Sequence, residues 1–145
     1  MLKKTLLISL MILTAVGVEA KKPVNKLIPQ NLPKDIAYST GFTAFYNDLA
    51  IEAQGLTTLA DYEPSNKMLE LYTFVKLPNG KMGIEGFLQV NSVFFDAYGF
   101  EKLGGYLTYV NEGIYKYQIS VENIFKITQI RGVLQIDIPE KRIKK

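Results

Sequence analysis

After Thr40 the chain consists of short runs of β-branched and aromatic residues, separated by turn signals about every ten residues. This spacing is typical of antiparallel strands joined by tight turns. We therefore predict a mainly β fold, in which an antiparallel meander forms an open curved sheet or half-barrel of about 7–9 strands. One or two helices fit this prediction, and an α+β fold is the alternative.

The strongest turn signal is Pro78-Asn79-Gly80. The Asn-Gly dipeptide favours the positive φ angles of a tight hairpin turn. Residues 68–77 and 81–90 are rich in strand-forming side chains on either side of it. We predict that these two segments pair as a β-hairpin.

A second hairpin is indicated by Asn111-Glu112-Gly113, between residues 105–110 and 114–121. In the second of these segments apolar and polar residues alternate, which predicts one buried and one hydrated face of the sheet. The apolar positions are Tyr115, Tyr117, Ile119 and Val121, and the polar ones are Lys116, Gln118 and Ser120.

Residues 124–138 are predicted to form the last strands. Phe125 and Ile127 alternate with polar neighbours, and Gly132 then marks a bulge or a turn. Alternation resumes over residues 133–138 until Pro139 ends it, so the simplest prediction is a final edge strand.

Two segments have mixed signals. In residues 42–54 an aromatic spacing typical of a helix competes with the turn dipeptide Asn47-Asp48, and we favour two strands. In residues 92–103, Ser92 and Gly104 could begin and end a helix, whereas the β-prone residues 93–98 favour a strand. Both interpretations of this second segment stay open.

Residues 1–20 have the pattern of a cleavable export signal. Lys3 and Lys4 precede a run of fourteen apolar or small residues ending at Val18, and Val18-Glu19-Ala20 fits a cleavage site. Because a membrane-spanning helix needs about 20 apolar residues, we favour cleavage, with an uncleaved anchor as the alternative. The predicted location is the bacterial periplasm, or alternatively the medium, with no transmembrane segment after cleavage.

An exported chain without cysteine must be stabilised by its core alone, since it has neither a disulfide nor a thiolate metal site. Residues 41–145 are predicted to be a single β-rich domain of common size. Residues 21–40 carry three prolines and should form an extended leader without a strand pairing of its own. Its apolar side chains are expected to dock onto the domain, namely those of Leu27, Ile28, Leu32 and Ile36.

The composition excludes most enzyme chemistry. The chain has no histidine and no cysteine, which supply most nucleophiles, general bases and tight metal ligands. A carboxylate pair drawn from Glu85, Asp96 and Glu101 remains conceivable, but each residue also fits an ordinary surface position. The net charge of +3 is too small to indicate nucleic-acid binding. We expect no enzyme activity, metal or cofactor.

Aromatic residues are the remaining candidates for a site. A concentrated group of them could line an apolar ligand site, or could simply fill the core. The predicted ligand-binding residues are Phe94, Phe95, Tyr98, Tyr106, Tyr109, Tyr115 and Tyr117.

The function that we expect is a non-catalytic exported binding protein that holds an apolar or amphipathic ligand, such as a lipid, on an aromatic sheet face. The alternative is a protein-interaction module of the envelope, such as an inhibitor, chaperone or assembly component, which uses the edge strand 133–138 or an exposed apolar face.

Overall fold

The computed structural model describes residues 26–141. These residues form six strands, three α-helices and two 3₁₀ segments around one sheet. The strands are β1 (Ala37–Tyr38), β2 (Phe74–Lys76), β3 (Met82–Val90), β4 (Tyr106–Asn111), β5 (Ile114–Ser120) and β6 (Val133–Asp137). The helices are α1 (Thr40–Glu52), α2 (Asn66–Leu71) and α3 (Ala97–Lys102), and the 3₁₀ segments are Leu59–Asp61 and Val121–Gln129.

The sheet is mixed and open, with strand order β1-β6-β3-β5-β4. All neighbouring strands are antiparallel except β1 and β6, which are parallel. Strand β5 pairs with one side of β3 along residues 83–89. The other side of β3 pairs with the short strand β2 at residues 82–84 and with β6 at residues 87–90. The β content is as predicted, but the antiparallel meander of about 7–9 strands is wrong.

One face of the sheet carries the core. Ile84, Tyr117 and Ile136 point to this face and are fully buried. Helix α1 contributes Phe42 and Phe45 to the same cluster of buried side chains. The opposite face is partly open to solvent and is more polar, so the sheet has the half-exposed character that the alternation in residues 114–121 predicts.

Helix α1 replaces the two strands predicted for residues 42–54. Its N-cap is Ser39, whose hydroxyl accepts a hydrogen bond from the Phe42 amide at 2.9 Å. Phe42, Phe45 and Leu49 fall on one helical face and are completely buried, whereas Ile51 is 65% exposed. The alternation near Ile51 was therefore misleading, because burial follows the helical spacing instead.

The first predicted hairpin is correct only near its turn. Strand β2 pairs with residues 82–84 of β3, and Gly80 has a φ of +87°. Asn79 does not adopt a positive φ, and its side chain accepts a hydrogen bond from the Lys81 amide instead. Residues 68–71 belong to α2 and not to a strand, because Ser65 caps that helix by accepting from the Met68 amide.

The second hairpin is confirmed. Strands β4 and β5 pair as predicted, and Gly113 in the turn has a φ of +81°. In the open segment 92–103 the structure has helix α3, which is capped by Asp96 and not by Ser92. Gly104 follows this helix with a φ of +86°, as expected for a helix end.

The C-terminal region needs two corrections. Residues 121–129 form a 3₁₀ segment instead of a strand, with Ile124, Phe125 and Ile127 buried on it. Strand β6 forms after Gly132 as predicted. It is not a simple edge strand, however, because it lies between β1 and β3 and pairs with β1 at Gln135 and Ile136. Strand β1 also shows that the predicted leader does have a strand pairing, and Ile28 and Ile36 lie in the core.

Candidate functional site

The fold distributes the aromatic residues predicted for the site between the core and the surface. Tyr117 is fully buried, and its ring packs edge-on against Phe100 with 6.1 Å between centroids. Its hydroxyl donates to the backbone carbonyl of Asp137 at 3.2 Å. Burial, together with the nearby Asp137 carboxylate, raises the pKa of Tyr117 well above its ordinary value. This tyrosine therefore serves the core.

Phe95, Tyr109 and Tyr115 form a continuous row of rings. The ring centroids of Phe95 and Tyr115 are 5.4 Å apart, and those of Tyr109 and Tyr115 are 5.8 Å apart. Phe95 and Tyr115 are half-buried against the core cluster. The row thus leads from the interior of the domain to its surface at Tyr109.

Four of the predicted aromatic residues, Tyr109 among them, lie on the surface. The exposed fraction is 58% for Phe94, 68% for Tyr98, 40% for Tyr106 and 64% for Tyr109. Tyr98 also carries the Lys102 ammonium 4.9 Å above its ring centroid, a cation–π contact. Large apolar side chains at these exposures form an open surface and not the wall of a closed cavity.

The loop between β3 and α3 holds Phe94 and Phe95 in place. The Asn91 side chain accepts hydrogen bonds from the Val93 and Phe94 amides at 2.9 and 3.2 Å. The Asn91 amide donates to the Gly132 carbonyl at 2.8 Å, which ties the loop to the segment before β6. Gly132 is needed here, because a Cβ at this position would overlap the Phe95 backbone.

Strand β4 is the edge of the sheet next to this surface. It pairs with β5, and within residues 26–141 no strand lies on its outer side. All of its side chains are exposed except that of Leu107, which is half-buried. Sheet edges of native proteins are commonly blocked by lysine, proline or short length, and β4 has neither of those residues over its six positions. Its unpaired backbone groups are therefore available to another strand.

Charged residues stand only at the two ends of β4. Glu101 and Lys102 precede it at the end of α3, and Glu112 follows it in the turn, where Ser92 donates a hydrogen bond to it at 3.4 Å. On the open face, β5 places Lys116 opposite Thr108. The edge is thus neutral along its length, with the adjacent Glu101 and Lys102 before it and one carboxylate, Glu112, after it.

The three candidate carboxylates have structural partners or lie at the surface. Glu85 accepts a hydrogen bond from the Gln118 side chain at 2.9 Å, across two strands of the open face. Asp96 caps α3 by accepting from the Gly99 amide at 2.9 Å, and Glu101 is exposed on that helix. Among residues 26–141 there is no group of three acidic residues arranged to hold a metal ion.

A polar network between α1 and α2 was not foreseen from the sequence. Glu52 accepts hydrogen bonds from the Tyr62 hydroxyl at 2.8 Å, from the Ser65 amide at 3.3 Å and from the Ser65 hydroxyl. Burial opposes ionisation of Glu52, but these hydrogen bonds outweigh it and lower its pKa. The placement of Ser65 three residues before Met68, typical of an N-cap, was the available signal.

The structure also contains an open groove of about 490 Å³ beside α2 and the β2–β3 turn. Its charged side chains have both signs, and one of them, Lys81, forms an ion pair with Glu122. The residues that line it are Ala60, Asp61, Tyr62, Glu63, Pro64, Leu69, Lys76, Gly80, Lys81 and Met82. None of the aromatic residues predicted for the site lines this groove.

Comparison with known proteins gives no relative: no family model matches the chain, and no curated protein or solved structure matches it. Within the part of the chain that the structure describes, no helix has the length and apolarity to cross a membrane. The candidate site therefore consists of the exposed edge strand and the aromatic surface beside it.

Proposed function

We propose that this protein is a non-catalytic interaction module of the bacterial envelope that binds an extended polypeptide segment along β4. The observation that carries the proposal is a neutral, exposed edge strand with no strand on its outer side among the described residues. In this mode of recognition the bound segment becomes an additional strand. Backbone hydrogen bonds supply affinity, and side chains at alternate positions supply specificity.

The side chains of β4 give the two faces of the extended sheet a different polarity. Leu107 and Tyr109 share the face of Tyr117 and Tyr115, which is the covered side of the sheet. Tyr106 and Thr108 share the open face with Gln118 and Lys116. A bound strand would therefore find apolar neighbours on one face and mixed polar neighbours on the other, which favours a ligand with alternating apolar and polar residues.

The affinity expected for this joint is modest. Each favourable cross-strand pair contributes about 0.2–1 kcal/mol, and association first has to overcome the loss of translational and conformational freedom. Four or five such pairs with their backbone hydrogen bonds fit dissociation constants in the micromolar range, about −8 kcal/mol. Such binding would be reversible and would involve no covalent step.

Export is part of the proposal and rests on the signal pattern of residues 1–20, which lie outside the described residues. The periplasm is the proposed location, with secretion as the alternative. In either place the partner would be another envelope or extracellular polypeptide.

The proposal is tested with fluorescently labelled peptides of alternating valine and threonine, measured by anisotropy. We expect Tyr106→Lys, which places a charge on the edge, to weaken binding by about tenfold or more. Ile51→Lys is the matched control, because Ile51 is also an exposed apolar residue, on α1, and is far from the edge in the chain. A peptide N-methylated along its pairing side should not bind; equal binding of that peptide would contradict strand addition.

A second candidate function is the binding of an amphipathic ligand, such as a lipid, across Phe94, Tyr98 and Tyr109. The observation that favours it is that these three rings are each more than half exposed, and that Tyr109 continues the row of rings through Tyr115. Native mass spectrometry of protein expressed in the periplasm, followed by organic extraction, separates the two candidates. A measured mass equal to that of the protein alone, with no extractable lipid, would argue against this second function.

A further inference from the structure

Strand β4 is complementary to itself. We infer that the polypeptide bound at β4 is a second copy of this chain, paired antiparallel with Thr108 opposite Thr108 across a two-fold axis. The inference rests on the proposed function, in which β4 accepts an additional strand. It specifies the partner as this same protein and fixes the register of the pairing.

The register follows from the order of side chains around Thr108. Antiparallel pairing about this residue places Leu107 opposite Tyr109 of the second copy, and Tyr109 opposite Leu107 of that copy. Aromatic residues facing aliphatic or β-branched ones are favourable cross-strand pairs, as are two threonines. Shifting the axis to Leu107 would place Tyr109 opposite Gly105, which has no side chain to cover the ring. The axis at Thr108 therefore buries more of the exposed apolar surface.

The charges near the ends of β4 are compatible with the same arrangement. Antiparallel pairing brings the end of β4 that carries Glu112 to the end of the second copy that follows Lys102. That end also carries the exposed carboxylate of Glu101, so Glu112 approaches a charge pair and not a lone ammonium group. No like charges face each other along the strand itself, because β4 carries no charged residue.

The geometry of the sheet permits a continuous joint. A two-fold axis perpendicular to the sheet keeps the covered faces of both copies on the same side, as an isologous interface requires. The register irregularity in β4 lies between Tyr109 and Asn111, outside the central positions 107–109. The pairing would therefore be regular at its centre and would end near the hairpin turn.

Single cysteine variants test the register, because the chain has no cysteine of its own. Residues that face each other in an antiparallel pair have Cα atoms roughly 4.5–5.5 Å apart, within the range of a disulfide. Under mild oxidation Thr108→Cys should form covalent dimers at least about tenfold faster than the exposed control Ile51→Cys, because pairing raises the effective thiol concentration. Leu107→Cys and Tyr109→Cys should each fail alone and cross-link when mixed.

The inference is overturned if Thr108→Cys cross-links no faster than Ile51→Cys, or if Leu107→Cys cross-links with itself. Sedimentation velocity of the unmodified protein gives a second measurement that needs no variant. A concentration-dependent monomer–dimer equilibrium that Tyr106→Lys abolishes supports the inference, and a monomer at all concentrations overturns it.

The peptide experiment separates failure of the inference from failure of the proposed function. If the alternating valine–threonine peptide binds but Thr108→Cys does not cross-link, the edge accepts strands and the second copy is the wrong partner. If neither the peptide nor the second copy binds, both the inference and the proposed function are wrong.

Discussion

Replacing Glu52 by glutamine should destabilise the fold through the joint between α1 and α2. The carboxylate is the acceptor for three donors, which belong to Tyr62 and Ser65. A glutamine keeps one acceptor oxygen but turns an amide N–H₂ group toward groups that also donate. At least one hydrogen bond to a charged acceptor is thereby lost, and a donor is left without a partner.

The magnitude follows from the energy of such hydrogen bonds. A hydrogen bond to a charged group contributes about 1.5–3 kcal/mol to stability, and the partial exposure of Glu52 reduces this through solvent screening. We expect Glu52→Gln to lower the free energy of unfolding by about 2 kcal/mol. For a domain of this size the melting temperature should fall by roughly 6–10 °C.

The pH dependence gives a second measure of the same interaction. The folded-state pKa of Glu52 is lowered, so its contribution is present above the ordinary value of 4.5 and is lost as the pH falls through the folded value. The difference in stability between wild type and Glu52→Gln should therefore be constant near neutral pH and should shrink below pH 4.5. Urea unfolding followed by circular dichroism measures both quantities.

Glu70→Gln is the matched control, because Glu70 is exposed on α2 and its replacement by glutamine removes the same charge. It should change the free energy of unfolding by less than about 0.5 kcal/mol. The reasoning would be refuted if Glu52→Gln were as stable as Glu70→Gln, or if the difference between wild type and Glu52→Gln persisted unchanged into acid.

Three further predictions concern the core and the N terminus. Gly86→Ala should destabilise strongly, by about 3 kcal/mol or more in urea unfolding, because its Cβ would overlap a carbonyl of β6. Gly80→Ala meets open space and should cost only about 1 kcal/mol, which comes from the positive φ at this position. The raised pKa of Tyr117 means that stability should fall as the pH rises above 10, and Tyr117→Phe should lose less in alkaline urea titrations. N-terminal sequencing of the native protein should start at Lys21; an intact start would contradict cleavage after Ala20.

Local turn chemistry made part of the fold predictable. The β4–β5 hairpin was correctly placed because Gly113 takes a positive φ that other residues rarely adopt. The strand after Gly132 was predicted for a similar reason, since alternation over a few residues marks its buried side. These signals are contained within a few neighbouring residues and need no knowledge of the distant chain.

Helix α1 and the 3₁₀ segment were missed because their aromatic and β-branched residues fit either kind of element. Phe42, Phe45 and Leu49 could have faced one side of a helix or been divided between strands. Docking onto the sheet selected the helical spacing, because all three side chains are then buried together. Local propensity is weak compared with the burial of several large side chains.

The candidate site shows the same division. The sequence identified the aromatic residues, but only the tertiary structure placed Tyr117 in the core and Tyr109 at the surface. It also placed β1 and β4 at the two ends of the strand order, so that β6 lies inside the sheet along its pairing with β1.

The sequence by itself determined the β-rich composition, the turns at Gly80 and Gly113, and a core that must hold together without disulfides. Only the tertiary structure decided which strand has a free side. That depends on contacts such as Leu88 with Ile136, between segments that are far apart in the chain. Which backbone edge stays unpaired is a property of the whole sheet, because a strand loses its edge only when another segment pairs with it.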